Sequence, residues 1–361
     1  MKVALAHDYL NQYGGGERVL ETLAEIFPEA PIYTLFYNQE KTRNRFQGRV
    51  KKTSWLDRSF VVDNHRGFIP LMPLAASSMR AGDDYPVIVS SSAGYSKAIR
   101  HHPNAVHISY CHTPLRYAWE FEKYINWNPV LKYLAMPVAW YLRRWDRLAG
   151  QRPDILLANS RYIADKIKQC YGRPSEVLYP PVDLKVFYRD KRVKKAGYFL
   201  AVGRLLHYKR FDLIIQAFNK LNLPLLIVGD GPESDNLKQL VRSPKIKFRP
   251  FAEEPELRTL YNGAEAVIFP QVEDFGLVAA EALACGTPVI AFSQGGAREI
   301  VENGITGLFF HHQTVDDLML AVKKFLLCSF NETAMRKSAQ RFSKTRFQKR
   351  ILQIISQLQV T

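Results

Sequence analysis

Two carboxylates lie eight residues apart in the segment PQVEDFGLVAAEALACGTPVIA, residues 270–291. Glu273 follows the apolar run AVIF, which predicts a buried strand, whereas Glu281 lies among alanines that favour a helix. Because carboxylate oxygens accept hydrogen bonds, Glu281 could bind the two hydroxyls of a ribose, and Glu273 could bind those of a sugar ring or face a developing cation. Two structural alternatives stay open: Glu273 acts electrostatically on its own helix, and Glu281 lies on the surface.

Two cations follow another predicted strand in the segment VGRLLHYKR, residues 202–210. Arg204 offers a planar fork of donors and Lys209 a point charge, a combination that suits the oxygens of a diphosphate. The helix that begins near Gly276 adds free N–H groups and the positive end of its dipole. On a basic protein both cations could instead be solvated surface charges, but their position at the carboxyl end of a strand favours a phosphate site.

Short apolar runs alternate with helical stretches along the chain, which predicts an α/β fold. Predicted strands of the first half are 3–6, 86–91, 105–110 and 155–160. After the proline- and charge-rich segment 179–197, the rhythm restarts with strands at 198–202, 225–228, 246–248, 266–269 and 288–292. We therefore expect two doubly wound, Rossmann-like domains, 1–190 and 191–344, with a C-terminal helix at about 345–361 packing back on the first. Their strand ends would face a shared cleft that holds the ligand loops.

The chain is basic: 50 Lys and Arg against 34 Asp and Glu give 361 residues a net charge of +16. This charge favours an anionic partner, whether nucleic acid, a phospholipid surface or a phosphorylated small molecule. The four cysteines form no CxxC pair, which argues against a disulfide framework or a structural zinc and indicates a reducing cytoplasm. Apolar stretches are too short for a signal-peptide core or a membrane span, so we expect neither export by the usual route nor a spanning helix.

The segment 128–152 mixes Trp, Leu and Tyr with a cluster of arginines. This composition is typical of a helix at a membrane interface, although a core helix with a solvated basic end would look similar. A lipid-linked acceptor would account both for this segment and for the net charge.

The segment EDFGLVAAE resembles the E-x7-E element of the retaining glycosyltransferases of the GT4 family, which have the GT-B fold. VGRLLHYK, IVGDGPE and GTPVIA followed by GG resemble the neighbouring family motifs in order and rough spacing, so the resemblance covers essentially the whole chain. It implies that Arg204 and Lys209 hold the donor diphosphate, Glu281 the ribose and Glu273 the transferred sugar. Backbone groups would assist at Gly203, Phe275, Gly276 and Leu277. The family needs no metal and no cofactor, because cations and a helix N-terminus stabilise the leaving diphosphate.

The segments HDYLNQYGGGERVLETLAEIFPEAPIYTLFYN and YCHTPLRYAWE resemble a subgroup made up largely of mannosyltransferases of bacterial surface polysaccharides. The resemblance implies that His112 faces the sugar, and that Gly15 and Gly16 bring amides close to the phosphates or the acceptor. It also implies GDP-mannose as donor, a glycan or polyprenyl-diphosphate-linked acceptor, and peripheral docking on the inner face of the cell membrane. Glu253 could accept from the N–H donors of guanine, or it could be a helix N-terminal carboxylate.

Three other hypotheses can be weighed on the same residues. A UDP-sugar donor would change only the base and the sugar. A retaining glycosidase also uses two carboxylates, roughly 5 Å apart, but it has no need for Arg204, Lys209 and a phosphate-facing helix. A non-catalytic nucleic-acid-binding protein would account for the charge, yet the basic residues are spread along the chain without a recognition motif, so we expect no nucleic-acid partner.

Overall fold

A computed structural model describes residues 2–121 and 129–358. The chain divides into two compact units. The first comprises Met1–Pro181 and Phe347–Thr361, and the second comprises Val182–Arg346.

The first unit contains a seven-stranded sheet in which all neighbouring strands are parallel. Its strands are β1 (Val3–His7), β2 (Ile32–Thr34), β3 (Val50–Thr53), β4 (Val87–Ser92), β5 (Val106–Cys111), β6 (Ile155–Ala158) and β7 (Glu176–Val177), in the order β3-β2-β1-β4-β5-β6-β7. Its first helices are α1 (Gly15–Ile26), α2 (Ser59–Asp63), α3 (Met72–Ser78), α4 (Arg116–Trp119), α5 (Pro129–Ala149) and α6 (Arg161–Tyr171), with 3-10 helices at His65–Leu71 and Ser96–Ala98.

The second unit contains a six-stranded parallel sheet in the order β10-β9-β8-β11-β12-β13. Its strands are β8 (Tyr198–Val202), β9 (Leu225–Val228), β10 (Ile246–Arg249), β11 (Ala264–Phe269), β12 (Val289–Phe292) and β13 (Gly307–Phe310). The remaining helices that the structure describes are α7 (Phe211–Leu221), α8 (Ser234–Gln239), α9 (Glu254–Gly263), α10 (Leu277–Ala284), α11 (Ala297–Ile300), α12 (Val315–Phe325), α13 (Glu332–Ala339) and α14 (Lys344–Gln357), with 3-10 helices at His207–Lys209 and Gln340–Phe342.

The central strands of both sheets are buried on both faces, which explains why these strands read as largely apolar runs. On β1, Val3 and Leu5 pack towards α1, whereas Ala4 and Ala6 pack towards α3 and α5 on the opposite face. Helix α14 joins the first of these layers through four buried side chains at helical spacing: Phe347, Ile351, Ile354 and Ile355. The C-terminal helix therefore completes the core of the first unit.

Each unit is doubly wound, and the predicted α/β class is confirmed. All the predicted strands are present, within three residues at either end. Strands β2, β3, β7 and β13 were not predicted. β2 and β7 have only three and two residues, and β3 carries two lysines. In each sheet the strand order reverses beside the first strand, between β1 and β4 and between β8 and β11, and ligands bind such folds at the carboxyl ends of these strands.

The second unit begins at Val182 rather than at the predicted residue 191. Its first residues are bound to its own core: Val182 bridges to Ser343, and the ring of Phe187 contacts that of Tyr261. Proline and charge marked this segment as a linker, but its side chains pack on the second unit. Within 2–121 and 129–358, no helix is long and apolar enough to cross a membrane.

Candidate active site

The carboxyl ends of β8 and β11 bring three of the predicted residues together in the second unit. Lys209 Nζ lies 2.9 Å from Glu273 Oε1, and both side chains are mostly buried. A Cβ added to Gly203 would stand 3.1 Å from Lys209 Nζ, so the glycine leaves room for the lysine. Gln271, which is buried, donates from Nε2 to the same Glu273 oxygen over 3.2 Å. This pair places a carboxylate and an ammonium where the sequence predicted a sugar site and a phosphate site.

The loop after β12 holds the backbone around Glu273. The N–H of Gly296 donates to the carbonyl of Glu273 over 2.9 Å. A Cβ at Gly295 would lie 2.4 Å from that carbonyl oxygen, and one at Gly296 would lie 2.3 Å from the carbonyl oxygen of Phe275. Gly295 also has φ +69°, a conformation that favours glycine. The GG sequence is therefore required for close packing of the two backbones.

Helix α10 begins directly after this segment. Gly276 caps it with φ +108°, and Leu277 is its first residue. The buried ring of Phe275 lies edge-on to Phe342 with centroids 5.2 Å apart, which fixes the start of the helix. The first N–H groups of a helix have no intrahelical acceptors, so this end can bind a negative charge.

Glu281 lies inside the second unit and not on its surface, so the surface alternative is wrong. Its side chain is 1% exposed and accepts a hydrogen bond of 3.0 Å from the hydroxyl of Tyr261. Burial, and then the negative charge of Glu281, raise the pKa of the Cys285 thiol well above its usual value. One oxygen of Glu281 is thus taken up by Tyr261, a partner that the sequence did not predict.

Arg204 and Glu253 lie at exposed positions of the second unit. The loop of Arg204 is anchored by the turn after β9, because the N–H of Leu205 donates to the carbonyl of Asp230 over 2.9 Å. A Cβ at Gly229 in that turn would lie 2.1 Å from the carbonyl oxygen of Gly203. Glu253 occupies the N-cap position of α9, as its structural interpretation requires, and its exposure also leaves it accessible to a base.

His112 is held at the strand ends of the first unit by a chain of side chains. Its Nε2 lies 2.8 Å from the hydroxyl of Ser91, and that hydroxyl lies 3.1 Å from His7 Nδ1. His7 Nε2 in turn lies 3.7 Å from a carboxylate oxygen of Glu17. A Cβ at Gly16 would lie 3.6 Å from His112 Nε2, so the structure brings the predicted Gly16 and His112 together. Gly15 is the first residue of α1.

Glu17 links this chain to the N-terminus of α1. It is buried, and its Oε2 accepts a hydrogen bond of 2.8 Å from the N–H of Gly14. Burial alone would raise the pKa of Glu17, but the interactions with His7 and the backbone N–H groups of Gly14 and Glu17 hold it below its usual value. His7, Ser91 and Glu17 were not predicted as site residues. The sequence did contain a sign of these residues. His7 and Ser91 are polar residues at the ends of predicted strands, and Glu17 is an acidic residue in the first turn of the helix that follows the glycines.

Two further buried carboxylates support the first unit. Asp8 accepts hydrogen bonds from three backbone N–H groups that follow β4: Ala93, Tyr95 and Ser96. Asp146 on α5 lies 2.6 Å from Lys97 Nζ, and neither side chain is exposed. Asp146 also accepts from the N–H groups of Trp119 and Leu115 and from the hydroxyl of Tyr171. These contacts fix the segments on either side of His112.

Metal-ligating side chains are scattered. In the part of the chain that the structure describes, no group of three or more His, Cys, Asp or Glu side chains could hold a metal ion.

Two family models match the chain in adjacent blocks. The model described as "Glycosyltransferase Family 4" matches residues 13–186, and the model described as "Glycosyl transferases group 1" matches residues 187–345. The chain belongs to glycosyltransferase family 4. The resemblance of its motifs to this family is thereby confirmed.

Curated relatives match part of this chain. It is 34% identical over 200 residues to the D-inositol 3-phosphate glycosyltransferases of Mycobacterium bovis and Mycobacterium tuberculosis. The match covers 49% of this chain and 42% of those proteins, so it spans less than half the length of these relatives.

Two solved structures share its fold at low sequence identity. Anabaena Alr3699/HepE, solved in complex with UDP and glucose, has a TM-score of 0.72 and 19% identity over 99% of both chains. Sucrose-phosphate synthase from Thermosynechococcus elongatus has a TM-score of 0.69 and 16% identity over 100% of both chains. These likenesses show that the chain has the GT-B fold.

Proposed function

We propose that this enzyme transfers a sugar from a nucleoside-diphosphate sugar with retention of anomeric configuration. The observation that carries the proposal is the contact between Lys209 and Glu273 beside Gly203 and the N-terminus of α10. An ammonium and a helix end suit a diphosphate, while the carboxylate suits the hydroxyls of the attached sugar. Glu273 need not be a covalent nucleophile, because retention can also follow from front-side displacement through an ion-pair-like transition state.

Charge on the leaving diphosphate grows as the glycosidic bond breaks. Lys209 is held by Glu273, the loop of Arg204 is anchored by the turn after β9, and the N–H groups at the start of α10 are part of the fold. These donors therefore stabilise the transition state more than the bound substrate. In this proposal Glu281 binds the ribose, and His112 contacts the transferred sugar. The chemistry then needs no metal and no cofactor, and the nucleotide sugar is a substrate.

We place GDP-mannose first as the donor, on the resemblance to mannosyltransferases and on the exposed carboxylate of Glu253. A ligand that binds only the native state raises its apparent stability. GDP should therefore raise the melting temperature more than UDP at equal concentration, and Glu253→Gln should narrow that difference. The control is Glu254→Gln, one residue further along α9. A larger shift with UDP would remove GDP-mannose from first place.

A UDP-sugar donor is the second candidate. It is favoured by Anabaena Alr3699/HepE, which was solved with UDP-glucose and shares the fold of this chain. The same thermal series with GDP-mannose, UDP-glucose and UDP-N-acetylglucosamine distinguishes the two donors. Release of GDP or UDP in the presence of a lipid-linked glycan then tests transfer itself.

We further propose that the first unit docks on the inner face of the cell membrane, where a polyprenyl-diphosphate-linked acceptor would lie. Residue 128 of the segment 128–152 lies outside the described residues. On α5, Leu142 is buried, whereas Trp140 is 67% exposed beside exposed arginines. Trp145 on the same helix donates to Ser77 of α3, next to Leu74, which is 58% exposed. Exposed apolar side chains beside cations suit an anionic lipid surface.

The docking proposal is tested by sedimentation with vesicles. The protein should sediment with anionic vesicles more than with neutral ones, and salt should weaken the attachment. Trp140→Ser should reduce binding, whereas Leu327→Ser, which changes an exposed side chain of the second unit, should not. Equal recovery in the supernatant with both lipids would contradict docking.

A further inference from the structure

His7 and His112 share one hydroxyl group. Ser91 Oγ lies 3.1 Å from His7 Nδ1 and 2.8 Å from His112 Nε2, and the side chain of Ser91 is completely buried. A hydroxyl has one proton to donate, so Ser91 can donate to one histidine at a time. When Ser91 donates its proton to one histidine ring, its oxygen accepts a hydrogen bond from an N–H group of the other ring.

The protonation of His7 decides the direction of this chain. When His7 carries both ring protons, Nε2–H faces Glu17 and Nδ1–H donates to Ser91, whose own proton then goes to His112 Nε2. His112 is left with its proton on Nδ1. When His7 is neutral with its proton towards Glu17, Ser91 donates to His7, and a neutral His112 carries its proton on Nε2. Each state of His7 thus leaves a different nitrogen of His112 protonated.

A carboxylate on α1 faces the ring of His7. The buried carboxylate of Glu17 lies 3.7 Å from His7 Nε2. The neighbouring carboxylate of Asp8 is occupied by backbone N–H groups, and Lys97 of the nearby 3-10 helix is paired with Asp146. Glu17 is therefore the acid that faces the His7 ring, and His112 is the other titratable group in the chain.

We propose that His7, Ser91 and Glu17 are positioning residues that fix which nitrogen of His112 presents an N–H group. With Glu17 ionised and His7 protonated, His112 presents Nδ1–H as a hydrogen-bond donor. This inference rests on the proposed function in one respect: the group that receives this donor is a hydroxyl oxygen of the transferred sugar. Loss of the proton from His7 turns the donor into an acceptor.

Nitrogen-15 NMR of ring-labelled histidine tests this coupling on the full chain without substrate. His7→Gln and His112→Gln assign the two rings among the nine histidines. In the wild type, neutral His112 should change from the Nδ1–H to the Nε2–H form over the pH range in which His7 loses its proton. In Glu17→Gln this change should move to lower pH, because His7 loses its carboxylate partner. In Ser91→Ala the His112 tautomer should no longer follow His7.

Sugar transfer gives a second measurement with a matched control. Ser90 is the preceding residue of β4, on the opposite face of the sheet, and its hydroxyl lies 2.8 Å from His107 Nε2. Ser91→Ala should lower kcat about tenfold, the loss expected for a hydrogen bond, and should change the pH profile of kcat with little effect on the donor KM. Ser90→Ala removes an equally buried hydroxyl and should leave the pH profile unchanged.

Two results would overturn the inference. One is a His112 tautomer that stays the same while His7 titrates in the wild type. The other is a Ser91→Ala spectrum in which the tautomer still follows His7. If the wild type transfers no sugar from any donor, the proposed function fails, while the NMR result still decides whether the two histidines are coupled.

Discussion

In the first unit His112 is held by side chains, whereas in the second unit the segment of Glu273 is held by backbone. Ser91 and His7 stand behind His112, and buried carboxylates fix the loops around it. Behind Glu273, two glycines let the loop after β12 pack directly on its carbonyl group. The strand order at the two sites is the same, so the difference lies in the loops and not in the fold.

This difference separates what each unit is sensitive to. The hydrogen bonds that hold His112 depend on pH, because each side chain in the series donates or accepts according to its protonation state. Backbone packing depends on the absence of a Cβ and is indifferent to pH. We therefore expect the stability of the first unit to depend mainly on changes of side-chain charge. The stability of the second unit should depend mainly on changes of side-chain volume.

The largest expected effect is the loss of Asp146 from the first unit. Asp146→Ala leaves Lys97 buried without its carboxylate, and removing one partner of a buried pair costs about 3–5 kcal/mol. All five tryptophans precede Val182, where the second unit begins, so tryptophan fluorescence during urea unfolding follows the first unit: Trp55, Trp119, Trp127, Trp140 and Trp145.

Two variants sharpen this result. Asp63→Ala removes a carboxylate from the exposed pair with Lys41 and should leave the transition unchanged. The double change Lys97→Met with Asp146→Leu should recover part of the lost stability, because neither position of the buried pair then carries a charge. A free energy of unfolding that is the same for Asp146→Ala and the wild type would show that the buried pair contributes little.

In the second unit the largest effect should fall on turnover. Lys209→Ala or Arg204→Ala should lower kcat on the order of 10²-fold or more, as the loss of one preorganised donor does elsewhere. The double variant should lose less than the product of the two, because both cations serve one diphosphate. The measurement is steady-state sugar transfer in EDTA, repeated with excess magnesium.

The control for the cation variants is Lys220→Ala, whose ammonium is exposed and faces Asp316. Its turnover should equal that of the wild type. Near-normal turnover of Lys209→Ala, or wild-type activity that EDTA abolishes and magnesium restores, would assign the leaving-group charge to something else.

A smaller loss of stability should distinguish two glycines of the second unit. Gly295 and Gly304 both have positive φ, so alanine costs about 1–2 kcal/mol at either position. At Gly295 the new Cβ also meets the carbonyl oxygen of Glu273, which adds about 1–3 kcal/mol, whereas Gly304 has no atom within 4 Å of that position. Circular dichroism during thermal unfolding compares the two variants, and equal losses would mean that the loop moves aside at no cost.

The smallest effect, counted per pH unit, is a dependence of the stability of the first unit on pH. Burial, aided by His101 and Arg152, lowers the pKa of His107 to about 3, against 6.5 for an ordinary histidine. The unfolded chain therefore takes up a proton below pH 6.5 that the folded chain refuses. Stability from this residue is complete above that pH and falls on acidification towards pH 3, by up to about 1.4 kcal/mol per pH unit.

His107→Gln should remove this contribution from the slope of stability against pH, measured by tryptophan fluorescence in urea at pH 7, 6 and 5. An unchanged slope would show that His107 is protonated in the folded protein.

The sequence predicted the two α/β units because buried parallel strands are continuous apolar runs, and the glycines and cations of the second unit because they follow such runs. It did not predict Tyr261 beside Glu281 or Ser91 beside His112. These contacts join residues 20 and 21 positions apart, on different elements, through single polar atoms. No local pattern records them. The boundary at Val182 was not predicted for a similar reason. The segment after Val182 belongs to the second unit because the ring of Phe187 packs on that of Tyr261.

The placement of α14 imposes an order on the folding of the two units during synthesis. Four side chains of the helix complete the core beside β1 and β4, although they are made after the whole second unit: Phe347, Ile351, Ile354 and Ile355. The second unit, Val182–Arg346, is continuous and can finish folding as it emerges from the ribosome. The first unit, begun earlier, must wait with an open apolar surface until α14 has been made, so it is the part of the nascent chain that most needs protection by a chaperone.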